Sequence, residues 1–325
     1  MHSRRSFIAQ AAALLAVCAT LPAQAQTYPT KQPIKLVIPF VPGGSNDMVG
    51  RYIADELSKR IGQTVVVDNR GGAGGTIGTQ MVAQSVPDGY TLLLVSTPHT
   101  ANTTLYKKLP YRPDKDFMPV AKIATAPVVI CVSPNLPVNS LKELIDYAKA
   151  RPGQLNYASA GVGSGTHLAA ALFAIEAGVK LTHVPYKGAA PAMTDVAGGY
   201  AQISVGTLLQ ALPFVNSGRL KPLAITGTTR QAAAPNVPTT VQAGLPGYEA
   251  DNWWGVVAPA GTPADIVAKL DKTIGEILAT PQAKQKFEKE SAAVAYVPGP
   301  EFGKFLSKET TKWAAIIKEL GIESE

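Results

Sequence analysis

Three times along this chain a short apolar stretch runs into a glycine-rich turn and then into a segment with helical spacing. The turns are Pro42-Gly43-Gly44-Ser45, Gly71-Gly72-Ala73-Gly74-Gly75-Thr76-Ile77-Gly78 and Gly161-Val162-Gly163-Ser164-Gly165-Thr166. Strands that each feed a helix pair side by side in parallel, with the helices as right-handed crossovers. Glycine suits such turns because the backbone bends sharply and approaches its neighbours closely. The pattern commits most of the chain to α/β layers.

Residues 34–39 read as a buried strand, and Val49, Ile53, Leu57 and Ile61 fall four apart on one face of the helix after it. Strands at 63–68 and 90–96, with a helix at 76–85, make a β-α-β-α-β unit and predict a parallel sheet. A second unit of the same kind starts near 126. Its strands are expected at 128–132, 155–159, 181–184, 202–205 and 220–225. Its helices are expected at 140–150, 167–177, 191–197 and 208–217, the first opened by the capping box Ser140-Leu141-Lys142-Glu143. Residues 226–248 are rich in Pro, Thr, Gly and Ala, lack periodicity and read as a connection between units. Strands near 253–258 and 294–297 and helices near 263–279, 281–291 and 301–320 finish the chain. With 325 residues, it is too long for one compact core.

The first residues read as an address. Arg4 and Arg5 precede an apolar run over 7–21, and Ala23-Gln24-Ala25 offers a cleavage site after Ala25. The run is short for a membrane span. Ser3-Arg4-Arg5-Ser6-Phe7-Ile8 fits either a twin-arginine or an ordinary secretory signal. Cys18 follows Val17 where a lipoprotein signal wants a small residue. The expected location is periplasmic. Cleavage leaves Cys131 alone, so no intrachain disulfide can form, and its thiol is expected to be buried and inert.

That compartment disfavours diffusible ATP or NAD, and no cofactor is expected. The net charge of +7 is dispersed, with no run of five Lys or Arg, so no nucleic acid is expected as a partner. The P-loop, H-E-x-x-H, G-x-S-x-G and C-x-x-C patterns are missing, and no catalytic residue can be assigned. His99, His167 and His183 lie at no usual metal spacing, and no metal is expected. The turn from Gly71 to Gly78 approximates a dinucleotide fingerprint, but Ile77 stands where the third glycine belongs. What the glycine turns offer is backbone N–H groups at helix N-termini. These hold carboxylates or phosphates without lysine or arginine, at the strand ends where open α/β sheets bind ligands.

Longer motifs carry a resemblance. They are Phe40-Val41-Pro42-Gly43-Gly44-Ser45-Asn46-Asp47, Asn69-Arg70-Gly71-Gly72-Ala73-Gly74-Gly75, Pro87-Asp88-Gly89-Tyr90-Thr91-Leu92, the third glycine turn with His167 and Leu168, Thr182-His183-Val184-Pro185-Tyr186-Lys187-Gly188-Ala189-Ala190-Pro191-Ala192, Trp254-Gly255, and Ala258-Pro259-Ala260-Gly261-Thr262-Pro263. In this order, from about Tyr28 to the last helix, the chain resembles the Bug family of periplasmic solute-binding proteins, the receptors of tripartite tricarboxylate transporters.

The resemblance implies an α/β, two-lobed periplasmic binding protein type II (Venus-flytrap) fold. Residues 26–124 plus 226–325 would form lobe 1 and residues 125–225 lobe 2. It also implies a small carboxylate ligand: a di- or tricarboxylate, an acidic amino acid or an aromatic acid. Mapped by motif, lobe 1 would grip it with Phe40, Gly43, Gly44, Ser45 and Asp47, and with Ser96 and Thr97. Lobe 2 would contribute Ala158, Ser159, Gly161, Ser164, Gly165 and Thr166, then Ser204, Gly206 and Thr207. Asp47 has a second reading, as an acid favoured in any first helical turn. Trp253 and Trp254 are read as core or as a stacking surface for an aromatic ligand, and Tyr186 and Lys187 as ligand contacts or as structural. The implied partners are the membrane permease subunits of such a transporter, served by a monomer that closes on its ligand. The rival readings are an exported hydrolase or dehydrogenase-like enzyme, and a ligand sensor for a signalling receptor.

Overall fold

The computed structural model describes residues 28–320, so the leader and its cleavage site lie outside the described residues. In β1 (Ile34–Ile38) only Lys35 reaches solvent, as expected of a strand covered on both faces. It lies between β2 (Val65–Asn69) and β3 (Thr91–Ser96) and is parallel to both. The crossover helices are α1 (Ser45–Ile61) and α2 (Thr76–Ala83). The face of α1 read from the sequence is the buried one, with Val49, Ile53 and Leu57 against Leu36, Ile38 and Leu92.

The expectation of a parallel sheet holds for these three strands only. β4 (Phe117–Ala126), β10 (Asn252–Pro259) and β11 (Ala293–Pro298) extend the sheet to the order β11-β4-β10-β3-β1-β2. β10 runs antiparallel to β3 and β4, and β11 antiparallel to β4. β10 comes from distant chain and lies between β3 and β4, antiparallel to both, while β4 follows β3 through a helix and keeps its direction without pairing with it. β4 and α3 (Thr97–Leu105) had not been read from the sequence; each contains a proline, and α3 is mostly Thr, Asn and His.

The second sheet holds β5 (Val128–Val132), β6 (Asn156–Ser159), β7 (Thr182–Pro185), β8 (Ile203–Thr207) and β9 (Lys221–Ile225), in the order β7-β6-β8-β5-β9. β6 is parallel to β7 and β8, whereas β5 runs antiparallel to β8 and β9. It too is mixed, because β5 enters straight from the first sheet. Its helices are α4 (Leu141–Lys149), α5 (Gly165–Glu176), α6 (Ala189–Gly198) and α7 (Leu208–Asn216).

Among the described residues, three connections join the two halves. The first is Pro127, alone between β4 and β5. The second is the return from β9 to β10, and here the expected division needs correction. Residues 226–250 had been grouped with the first lobe, yet Ala234 and Val237 are buried with Val129 and Ile225. Leu245, Tyr248 and Ala250 are buried with Ile130, Phe173 and Leu223. The segment lacks periodicity because it is neither helix nor strand, but its scattered apolar side chains cover the second sheet. The third connection follows α8 (Ala264–Leu278) and α9 (Pro281–Lys289), and is α10 (Gly299–Leu320). Phe302, near its start, packs with Trp253 and Val257 of the first half. Trp313 and Ile317, near its end, share a cluster with Ala101 and Leu105 of α3 and Leu168 of α5.

Both tryptophans at 253 and 254 are core residues with paired indoles: Trp253 Nε1 donates to Glu309 Oε2 (3.0 Å) and Trp254 Nε1 to Asn46 Oδ1 (2.9 Å). Cys131 is fully buried, and burial pushes its thiol up to about 12. Among the described residues, no helix is long and apolar enough to cross a membrane.

Candidate functional site

The carboxyl ends of strands from both sheets face one cleft, with about 650 Å³ of space partly open to solvent. Five helices begin on its wall: α1 at Gly44 and Ser45, α3 at Ser96 and Thr97, α5 at Ser164, Gly165 and Thr166, α6 at Gly188 and Ala189, and α7 at Thr207. Four of these starts have no side-chain cap; only Ser164 caps its own helix, accepting from His167 N (3.3 Å). Each start carries unpaired N–H groups and about half a positive charge. Among the described residues, no Asp, Glu, Lys or Arg side chain lines the cleft. Its field is therefore that of oriented backbone, which suits an anion without fixing it to a cation.

The two halves meet around this cleft. Ser45 N donates to Gln210 Oε1 (3.3 Å) and Tyr106 Oη to the carbonyl of Val162 (3.3 Å). Gly74 lies so close to that carbonyl that a Cβ there would overlap it, and a Cβ on Gly188 would strike Val41. The arrangement is a closed one.

Of the residues expected at the site, Phe40, Gly44, Ser45, Ser96, Thr97, Ser164, Gly165, Thr166, Gly206 and Thr207 come together on the lining. The other six stand behind it or beside it. Asp47 is buried and holds the first turn in shape, accepting from Gly43 N, Asn69 Nδ2 and Arg51 Nε, each at 3.0 Å. Burial alone would raise its carboxyl, but these bonds outweigh it and the pKa is lowered. Gly43 is engaged in the same clasp, at φ 89°. Ser159 bonds the third turn through Gly161 N (3.1 Å), and its Oγ is 2.5 Å from His183 Nε2. Ala158 and Ser204 are buried within β6 and β8. Gly161 lines a second furrow at the cleft mouth, with the turn at Gly71 to Gly75, Val162, Tyr186 and Lys187. Tyr186 Oη donates to Asp195 Oδ2 (2.7 Å), which braces the second half.

The third turn rests on two histidines. Gly163 N donates to His167 Nδ1 (3.2 Å), and the His167 and His183 rings stack 4.2 Å apart. Burial lowers both to about 4, and for His167 the neighbouring His183 adds to the shift. Among the described residues no group of three or more His, Cys, Asp or Glu is placed to hold a metal ion.

Sequence reasoning missed Asn46, Gly188, Ala189, Gln210, Asn252 and Trp313, all on the lining. Gly188 and Ala189 could have been found, because they repeat the strand–glycine–helix pattern after β7. Gln210 sits in the first turn of α7, where a polar side chain is a weak signal. Asn252, which accepts from Thr97 Oγ1 (3.1 Å), and Trp313 reach the cleft only through the return of distant chain, and nothing local announces them.

Two α/β halves, joined by three connections around a cleft walled with helix N-termini, define a bilobed solute-binding protein. The comparisons agree. Residues 49–322 match the model of the "Tripartite tricarboxylate transporter family receptor". The fold superposes on R. palustris Rpa4515 with adipate at a TM-score of 0.88, with 37% identity over 91% of this chain and 99% of that one. For the periplasmic binding protein BugD the TM-score is 0.86, with 34% identity over 91% and 99%. For MatC (Rpa3494) from Rhodopseudomonas palustris with bound malate it is 0.83, with 33% identity over 89% and 99%. The chain belongs to the tripartite tricarboxylate transporter receptor family, a family of periplasmic receptors rather than enzymes, as its motifs implied.

Proposed function

We propose that the protein captures a small carboxylate in this cleft and delivers it to the membrane permease of a tripartite tricarboxylate-type transporter. The observation that carries the reading is the set of five helix N-termini, four uncapped by side chains, on a wall that among the described residues has no charged side chain. A carboxylate there accepts from N–H groups of both halves at once. Such contacts exist only when the halves are together, so the ligand shifts the population to the closed form. The absence of an opposing cation favours release as well as capture, since a charge-assisted pair would hold more tightly. Adipate in Rpa4515 and malate in MatC are ligands of the same chemistry.

In this reading lobe 1 comprises residues 28–126 and 252–320, lobe 2 residues 128–250, and the hinge the three connections. The grip falls on Ser45, Thr97, Gly165, Thr166 and Thr207. The leader is removed after Ala25 on export to the periplasm. The test is a thermal shift on the purified protein, unfolded and refolded to strip carried ligand, against carboxylic acids and their amides. A ligand that binds only the native state raises Tm, by about 2.7 kcal/mol of stability at a hundredfold excess over Kd. A rise with acids and none with the matching amides is expected. A rise with nucleotides alone would sink the reading and revive the enzyme.

A further inference from the structure

Among the described residues, six have buried side-chain N or O atoms without a hydrogen-bond partner, and three of these, Thr207, Gln210 and Trp313, line the cleft. Their exposures are 5%, 8% and 3%. Buried polar atoms are rarely left unpaired, so this concentration calls for an explanation specific to the cleft.

The three stand on two walls. Thr207 and Gln210 belong to the start of α7, where Gln210 already meets Ser45 N of the other half. Their Oγ1 and Nε2 fall among the helix N-termini that receive a carboxylate. Trp313 arrives on α10 and packs with Ala101 and Leu105 of α3 and Leu168 of α5. Its Nε1 can only donate, so no donor on a ligand can satisfy it. The lining also includes Val128, Ala169 and Ala250, whose side chains end in methyl groups.

We infer that Trp313 is a specificity-determining residue, and that the ligand is a carboxylic acid with an apolar body and a second hydrogen-bond acceptor at its far end, bonded by Trp313 Nε1. The inference rests on the carboxylate reading above and goes beyond it by fixing what the other end of the molecule must carry. An acid without that acceptor leaves the indole N–H buried and unmet, which costs affinity.

The test is calorimetric, with two matched pairs: adipate against hexanoate, and pyridine-3-carboxylate against benzoate. In each pair only the first has the far acceptor, a carboxylate in one and a neutral ring nitrogen in the other, so the pairs also separate charged from neutral acceptors. In the wild type, at least one pair is expected to differ by about tenfold or more in Kd. In Trp313→Phe, which keeps an aromatic ring and loses the donor together with part of the ring volume, that gap is expected to shrink to about twofold. The acid lacking the acceptor reports whether the variant still folds and closes, because its affinity is expected to hold. Should Trp313→Phe lose all binding, the wild-type gap is read again in Trp313→His, whose ring can restore a donor. A gap that persists in the folded variant overturns the inference and leaves the carboxylate reading standing. So does the absence of any gap when the acids bind. If no acid binds the wild type, the carboxylate reading falls and takes this inference with it.

Discussion

Asp47 and the paired histidines place ionisable groups behind the site rather than in it. Asp47 shapes the first turn, while His167 and His183 support the third through Gly163 N and Ser159 Oγ. Burial draws His99, like the other two, down to about 4, and it too keeps no charge in the fold. Unfolded histidine titrates near 6.5, so between about pH 6.5 and 4 the unfolded chain binds protons that the folded chain refuses. Stability is then fully present above about pH 6.5 and drains away as pH falls. Thermal melts between pH 7 and pH 5 should show Tm dropping by several degrees, and His183→Gln should flatten that slope; a Tm level over this range would refute the account. The residue types were legible in the motifs, but their roles were not. An acid in a first helical turn looks alike whether it touches a ligand or a backbone amide.

Elements with a complete local signal were read well. The cap expected at Ser140 is present, with Ser140 Oγ accepting from Glu143 N (3.2 Å), while Glu143 Oε2 accepts from Asn139 N (2.7 Å), one residue before the N–H that a full capping box uses. Ser140→Ala should cost about 1 kcal/mol in denaturant unfolding without changing ligand affinity, because α4 lies away from the cleft. A loss of affinity with unchanged stability would contradict that separation. The strand that lacked a signal is β4. Its pairing partners, β10 and β11, are distant in sequence, and Pro119 and Lys122 interrupt its apolar pattern.

For the molecule as a whole, the function proposed above requires the two halves to meet without side chains in the way. Gly74 is the sharpest case, at φ 61° and against the Val162 carbonyl of the other half. Gly74→Ala adds one methyl group where closure leaves no room. Ligand affinity should fall by about tenfold or more, in line with about 1–3 kcal/mol for overpacking. Strain at a positive φ lowers stability as well, so the deciding measurement is small-angle scattering with ligand. The wild type should contract on binding, and the variant should remain expanded. Equal contraction in both would show that this contact does not limit closure.

From the sequence alone came the α/β class, the two units, the face of α1, the start of α4, and the three glycine turns at helix N-termini. These follow from local rules, since periodicity, capping and positive φ are properties of neighbouring residues. Only the tertiary structure decided the mixed sheets, the packing of 226–250 on the second half, the structural duty of Asp47, and the arrival of Asn252 and Trp313 at the cleft. Each depends on which distant surfaces meet. The chain crosses between its halves three times, and a side chain at a crossing takes its role from whatever the other half brings to it.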